Sequence, residues 1–290
     1  MFEKILVPVD FSGNFPSVAN SVKEIPGFRE IVLLHVVYNK YPSGDPAIVH
    51  PRVREARAAL EEIKKDFAMP GVAITAIVEE ITGGEIFDVI NRTAIRLGIS
   101  LVVMGRRGTG IIETLLLGSV ASDVLRYGKT DLLLIPAPQK NKQGLPYPDS
   151  PHLALFSNVM ICTDFSDPEI GLICLENLPW IRHASIFHSV TTGDSTEEIQ
   201  SAVIEAESRL GKLRDAFTHR GIPAHIHVSV GSAAEEILAF SRQEEISLIL
   251  MKSTGRKSFL NVLIGSTSAP VARNIKKPVL ILKRLPAVGK

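Results

Sequence analysis

KILVPVDFS, residues 4–12, recurs past the middle of the chain as NVMICTDFS, residues 158–166. Each segment is an apolar run that ends in Asp-Phe-Ser, as expected of a buried strand followed by a turn. Four further segments recur in the same order, at offsets that fall from 154 to 147 residues: IVLLHVV (31–37) with ASIFHSV (184–190), SLVVMGRRG (100–108) with SLILMKSTG (247–255), LLLGSVASDVLR (115–126) with VLIGSTSAPVAR (262–273), and DLLLIPAP (131–138) with PVLILKRL (278–285). The chain is therefore a tandem duplication.

The repeat and the length of 290 residues predict two domains. We expect the first domain over residues 1–138, a linker over 139–152 and the second domain over 153–290. The linker, QKNKQGLPYPDSPH, is polar, contains proline and glycine, and shows no hydrophobic periodicity.

Short apolar runs alternate with helical patterns within each copy. Residues 51–69 have apolar positions three and four apart, which predicts an amphipathic helix, and Ser195 with Glu198 forms a capping box at the start of the matching helix. In the first copy the predicted strands are residues 3–9, 30–37, 73–79, 100–105 and 131–136. This alternation predicts an α/β chain of two tandem doubly wound, five-stranded parallel-sheet domains, Rossmann-like, with ligands beyond the carboxyl ends of the strands.

Composition excludes several classes of protein. The formal net charge of +1 gives no electrostatic reason to expect a nucleic-acid partner. No apolar run approaches the roughly 18 residues of a membrane helix, and MFEKILVPVD is not a secretory signal. The two cysteines, Cys162 and Cys174, are expected to be reduced core thiols. We therefore expect a cytoplasmic protein with no membrane partner.

A glycine-containing segment follows the fourth strand of the first copy. Met104 and Gly105 begin the pattern G-x2-G-x9-G-S, which continues through Gly108 to Gly118 and Ser119 and leads into a predicted helix. Gly105 and Gly108 let the backbone approach a ligand closely and adopt φ > 0 at little cost. Free N–H groups at a helix N-terminus favour an anion. The segment therefore predicts a phosphate site.

With this loop and the first-strand Asp10, the sequence resembles the universal stress protein family along almost all of both copies. In that family the glycine pattern marks ATP-binding members, whose fold is that of the adenine nucleotide alpha hydrolases. The resemblance implies that ATP, ADP or AMP binds, with or without Mg²⁺. It assigns adenine and ribose to Pro8, Val9, Asp10 and Val36, and phosphates to Gly105, Gly108, Gly118, Ser119 and Val120, with Met104 among the binding residues. Arg106 and Arg107 are not fixed by the family pattern but lie where they could reach the outer phosphates.

Two side chains in the first copy have alternative interpretations. Asp10 either accepts hydrogen bonds from ribose or caps a helix. His35 and its counterpart His188 lie within strand patterns, so we expect them to be buried and hydrogen-bonded rather than catalytic.

The second copy departs from the pattern. Lys252 replaces the first loop glycine, whereas Gly255, Gly265 and Ser266 remain and Asp164 matches Asp10. The side chain of Lys252 either blocks close backbone approach or, with Lys257, faces a phosphate. This copy is either a second nucleotide site or a structural partner domain.

No sequence motif of a common enzyme class is present: there is no Walker loop, no H-E-x-x-H and no G-x-S-x-G. We expect no catalytic side chain and no metal-ligand cluster. The leading hypothesis is a nucleotide-responsive binding protein of stress or regulation that acts on an unidentified protein partner. The alternatives are a slow ATPase and a structural dimerising module.

The fifth strands of the two copies are too apolar to be comfortable sheet edges. The resemblance implies edge-to-edge pairing, so we predict that residues 131–136 and 278–283 pair within one chain; a homodimer through other surfaces stays open. Cysteines engineered one into each fifth strand, in a chain without its native cysteines, should crosslink within the chain. Proline at Leu133 is expected to separate the copies. Failure to crosslink in every register would contradict the pairing.

Overall fold

The computed structural model describes residues 2–39, 50–106, 117–137, 154–165, 170–191, 193, 195–253 and 265–283. The chain divides into two compact units, unit 1 (Met1–Pro138) and unit 2 (Gln139–Lys290). The predicted linker lies outside the described residues. None of the described helices has both the length and the apolar composition needed to cross a membrane.

Strands and helices alternate throughout both units. Unit 1 consists of β1 (Lys4–Pro8), α1 (Phe15–Lys23), β2 (Glu30–Tyr38), α2 (Pro51–Asp66), β3 (Ala73–Ile81), α3 (Ile86–Arg96), β4 (Leu101–Gly105), α4 (Ser119–Tyr127) and β5 (Asp131–Ile135). Unit 2 consists of β6 (Val159–Cys162), α5 (Ile170–Asn177), β7 (Ala184–Val190), α6 (Thr196–His219), β8 (Ala224–Val230), α7 (Ala233–Gln243), β9 (Leu248–Lys252), α8 (Ser268–Asn274) and β10 (Val279–Leu282). The predicted strands of the first copy agree with these bounds to within two residues.

Each unit contains a five-stranded parallel sheet, as predicted. The strand order is β3-β2-β1-β4-β5 in unit 1 and β8-β7-β6-β9-β10 in unit 2. After β3 the chain of unit 1 returns to the other side of β1, and right-handed crossovers then place α1 and α2 on one face and α3 and α4 on the other. Ring packing of Phe15 on Phe67 joins the first pair of helices, and α3 packs on α4.

Buried apolar residues on the central strands explain why the runs read as continuous rather than alternating. Ile5, Leu6 and Val7 of β1 are fully buried, because helices cover both faces of the sheet. The helix predicted over 51–69 ends at Asp66, and its C-cap residue, Phe67, is fully buried. At the start of α6, the Glu198 N–H donates to the Ser195 hydroxyl at 3.2 Å, which is one half of the predicted capping box.

Alternate residues of β5 direct their backbone groups to opposite sides. The Arg106 N–H donates to the carbonyl of Ile135 at 2.9 Å, so Ile135 and Leu133 face β4 while Leu134 faces away from it. Proline at Leu133 would therefore remove a hydrogen bond inside unit 1. The substitution that removes a donor from the other side of β5 is Leu134→Pro, which corrects the choice made from sequence.

Both cysteines are buried in unit 2, and burial raises the pKa of each thiol, to about 12 for Cys174. Because the thiolate is the nucleophile, we expect neither to react with a disulfide reagent at pH 8 until the protein unfolds.

The same burial predicts a pH dependence of stability. An unfolded thiol ionises near pH 8.5 and a buried one does not, so the stabilisation is complete below that pH and is lost as the pH rises towards the folded value. Each thiol should lower the free energy of unfolding by at most about 1.4 kcal/mol per pH unit above about 8.5. Urea unfolding between pH 8 and 9.5 tests this, with the double variant Cys162→Ala, Cys174→Ala as the control. Equal slopes for the two proteins would contradict the prediction.

Candidate functional site

The carboxyl ends of β1 and β4 form the switch point of unit 1. From β1 the chain proceeds to β2 on one side and, after β3, returns to β4 on the other. The connections leave these two neighbouring strands in opposite directions, which opens a crevice between them. This is the position at which doubly wound sheets hold ligands.

The register brings the predicted β1 and β4 residues to the same level of this edge. Leu6 of β1 is paired with Val102 of β4. Pro8 lies two residues after Leu6 and Met104 two residues after Val102, and Val9 and Gly105 follow them, so these four residues stand just beyond the last paired residues of the two strands. Four residues that sequence reasoning assigned to nucleotide binding thus lie at the ends of two neighbouring strands, on the same edge of the sheet.

Val36 presents its backbone to the space beyond the end of β1. The Val9 N–H donates to the Leu34 carbonyl at 2.8 Å, and the Asn39 N–H donates to the Ile81 carbonyl of β3 at 2.8 Å. Because backbone direction alternates along a strand, the N–H and C=O of Val36 point to the same side as the Leu34 carbonyl. One donor and one acceptor thus face the crevice from β2.

The backbone of Val9 is already engaged within the protein. Its N–H bonds to Leu34, and its carbonyl lies 2.7 Å from Nδ1 of His35. Since a carbonyl only accepts, His35 carries a proton on Nδ1 and donates it. Of the Val9 backbone groups, only a second lone pair of the carbonyl is left for a ligand, so hydrogen bonding to a base falls mainly to Val36. His35 is hydrogen-bonded as expected, although it is half-buried rather than buried.

Asp10 is exposed at the mouth of the crevice. One of its carboxylate oxygens accepts the Ser12 N–H at 2.9 Å, which forms a local turn. The N-cap of α1 is Asn14, so Asp10 does not cap that helix. A carboxylate accepts about four hydrogen bonds, and the described structure uses one, so Asp10 retains acceptor capacity.

The residue after Asp10 has a strained backbone that sequence reasoning missed. Phe11 has φ of 55°, and its counterpart Phe165 has φ of 56°, a region that bulky residues rarely adopt. Each ring packs on the histidine of the second strand, with centroids 4.4 Å apart for Phe11 and His35 and 4.3 Å apart for Phe165 and His188. The repeated Asp-Phe-Ser was visible in the sequence, but its backbone conformation was not.

The start of α4 is fastened to the end of β4. The Gly118 N–H donates to the Arg106 carbonyl at 2.7 Å, so both ends of the glycine loop meet at this bond. Gly118 is the N-cap and Ser119, the first helical residue, is exposed. The first N–H groups of a helix have no carbonyl partner within it, and glycine has no side chain to cap them. No acidic residue lies in the first turn of α4, so the helix N-terminus favours an anion here.

The two glycines that begin and end this loop do not need an unusual backbone. Gly105 ends β4 in strand conformation, and Gly118 has φ of −65° and ψ of 155°. Neither glycine therefore uses its freedom to adopt φ > 0, and any need for glycine at these places comes from room beside the backbone. Gly108 and Arg107 lie outside the described residues. Arg106 is only 7% exposed, so its side chain is largely withdrawn from solvent.

The corresponding loop of unit 2 is closed by the same backbone bonds, but the helix after it begins later. Ser253 occupies the place of Arg106: its N–H donates to the Leu282 carbonyl and its own carbonyl accepts the Gly265 N–H. Helix α8 begins at Ser268, two residues after Ser266, whereas α4 begins at the matching Ser119. The Ser268 hydroxyl donates to the Ser253 carbonyl at 2.9 Å. The Ser253 carbonyl therefore accepts both a backbone N–H and a side-chain hydroxyl at the base of this loop.

The remaining predicted residues of unit 2 also differ from their counterparts. Ser189, in the place of Val36, donates its hydroxyl to the Gly231 carbonyl at 2.9 Å. Lys252 is half-buried at the end of β9, and Asp164 is exposed after β6. Gly255 and Lys257 lie outside the described residues. Unit 2 therefore has the same strands at this edge, with Ser189 and Lys252 in the places of Val36 and Gly105.

Comparison with known proteins agrees with this architecture. A sequence model of the universal stress protein family matches residues 1–136 and 181–283, more than half of the chain. A universal stress protein of Mycolicibacterium smegmatis is 23% identical over 297 residues, covering 96% of each chain. One from Methanocaldococcus jannaschii is 30% identical over 80 residues. These residues are 28% of this chain and 47%, about half, of that relative.

A solved structure shows the same fold. The universal stress protein from Archaeoglobus fulgidus superposes with a TM-score of 0.65 at 23% identity, over 97% of this chain and 96% of that chain. With the duplicated doubly wound units and the family match over both of them, the chain belongs to the universal stress protein family.

Proposed function

We propose that the protein binds an adenine nucleotide at the carboxyl edge of unit 1 and acts as a nucleotide-responsive regulatory binding protein of the stress response. The observation that carries this proposal is the N-terminus of α4, held against the end of β4 by the Gly118–Arg106 hydrogen bond. The N–H groups of Ser119 and Val120 there suit a phosphate. The described residues contain no cluster of metal-binding side chains, so in this proposal Mg²⁺ enters with the phosphates.

The neighbouring groups suit the adenosine part of the ligand. Adenine carries an amino donor beside a ring-nitrogen acceptor, and the N–H and C=O of Val36 form a complementary pair on one side of β2. The exposed carboxylate of Asp10 accepts from hydroxyl groups such as those of ribose. The arrangement does not by itself select ATP, ADP or AMP.

Regulation is favoured over rapid catalysis because the histidine nearest the site is committed to structure. The Nδ1–H of His35 is bonded to Val9, and its ring lies against Phe11. The other proton acceptor that we identify among the described residues at this edge is the carboxylate of Asp10, which the proposal assigns to the ribose hydroxyls. Slow ATP hydrolysis remains the second candidate, and a purely structural module is the third.

Gly118→Val is expected to weaken nucleotide binding, because a branched side chain at the N-cap would occupy the space beside the first N–H groups of α4. Loss of two charge-assisted hydrogen bonds corresponds to more than about tenfold in affinity. Isothermal titration with ATP, ADP and AMP measures it. Gly265→Val, the equivalent change in unit 2, is the matched control and should leave affinity unchanged. If only the control variant loses binding, the units are assigned the wrong way round, and if no nucleotide binds, the structural-module alternative stands.

ATP incubated with the purified protein should turn over far more slowly than the roughly 10 s⁻¹ of an ordinary enzyme. Interactions with the ground-state phosphates alone do not lower the barrier. Chromatography of protein-bound and free nucleotide after long incubation provides the measurement. A rate near that of ordinary enzymes would make the protein an ATPase and contradict the regulatory proposal.

A further inference from the structure

The strained phenylalanine after the first strand has different contacts in the two units. In unit 2 the ring of Phe165 contacts two side chains. It packs on the ring of His188, and the guanidinium of Arg209 lies over it with its central carbon 4.0 Å from the ring centroid. A guanidinium N–H of Arg209 reaches the Phe165 carbonyl at 3.4 Å. Unit 2 thus contains an arginine seated on both the ring and the backbone of this turn.

The counterpart of Arg209 in unit 1 is a short side chain. Helices α2 and α6 have the same register against their sheets: Ala56, Leu60 and Phe67 are buried, and so are Ala206, Leu210 and Phe217, each 150 residues later. The same offset relates Arg209 to Ala59. A methyl group cannot extend over the turn as an arginine does, so α2 leaves this place on Phe11 uncovered.

Phe11 accordingly has an accessible surface. Its ring packs on His35, and Phe11 is 38% exposed, whereas Phe165 is half-buried. The preceding residue, Asp10, is also exposed and carries a negative charge. An exposed aromatic ring and an exposed carboxylate therefore lie on neighbouring residues at the edge of unit 1.

We propose that the ring and carbonyl of Phe11 form a docking point for an arginine side chain presented by a partner protein. Unit 2 shows that a guanidinium fits this turn, and Asp10 supplies charge complementarity. Arginine suits the site better than lysine because its guanidinium is planar, weakly hydrated, and able to stack while donating hydrogen bonds in its plane. The proposal goes beyond nucleotide binding and does not require it.

Solution NMR of the full chain with labelled aromatic rings tests the proposal without nucleotide. The probes are N-acetyl-arginine methylamide and the corresponding lysine amide. The arginine probe should shift the ring signals of Phe11 and His35, and the lysine probe should shift them about fivefold less at equal concentration. The ring of Phe165, already covered, should respond to neither. Equal responses to both probes, or none at Phe11, would overturn the docking point.

Matched variants transfer the property between the units. Ala59→Arg should seat an arginine on Phe11 from α2 and abolish its response, whereas Ala59→Gln should keep it. Arg209→Ala should make Phe165 respond in the same way. A response of Phe11 that survives Ala59→Arg, or a silent Phe165 in Arg209→Ala, contradicts the proposal. If the arginine response of Phe11 appears only when AMP is bound, the docking point depends on the nucleotide site and the proposal as stated is refuted, while nucleotide binding stands.

Discussion

The carboxyl edge of each unit depends on one hydrogen bond, from Nδ1–H of the second-strand histidine to the last carbonyl before the Asp-Phe-Ser turn. It measures 2.7 Å between His35 and Val9, and 2.8 Å between His188 and Thr163. The bond joins neighbouring strands after the regular ladder has ended and fixes the orientation of the ring. The following phenylalanine then packs on that ring, so the bond also supports a backbone turn that is unfavourable by itself.

The same framework carries different groups in the two units, because the framework and the proposed ligand site use different atoms. The fold needs the sheet, the histidine bond and the bond that closes the loop, all of which occur in both units. The proposed ligand site needs accessible backbone N–H and C=O groups at the edge. Unit 2 has Ser189 in the place of Val36, with its hydroxyl on the Gly231 carbonyl, and its α8 begins two residues later than α4, with the Ser268 hydroxyl on the Ser253 carbonyl. One copy can therefore change its site without loss of the fold.

The sequence was sufficient for the strands, the duplication and the switch point, because these follow from apolar runs and from strand–helix alternation. It was not sufficient for the state of individual polar groups. That the Val9 N–H is consumed by Leu34, that Arg106 is withdrawn from solvent and that Gly105 is not at positive φ all depend on partners distant in sequence. The correspondence of Ala59 to Arg209 could be found by aligning the two copies, but the contact of Arg209 with Phe165 depends on how α6 packs.

The strained turn argues that unit 1 is organised before any ligand arrives. A bulky residue at φ near 55° costs about 1–2 kcal/mol, and ring packing of an aromatic pair returns about 0.5–1.5 kcal/mol. A glycine would remove the strain but also the ring that rests on His35. Unit 2 has the same turn although its glycine loop differs in sequence. The turn is therefore a feature of the fold that does not require a bound nucleotide. Asp10 is therefore held at the crevice in advance, and a ligand that uses it does not have to order the loop that carries it.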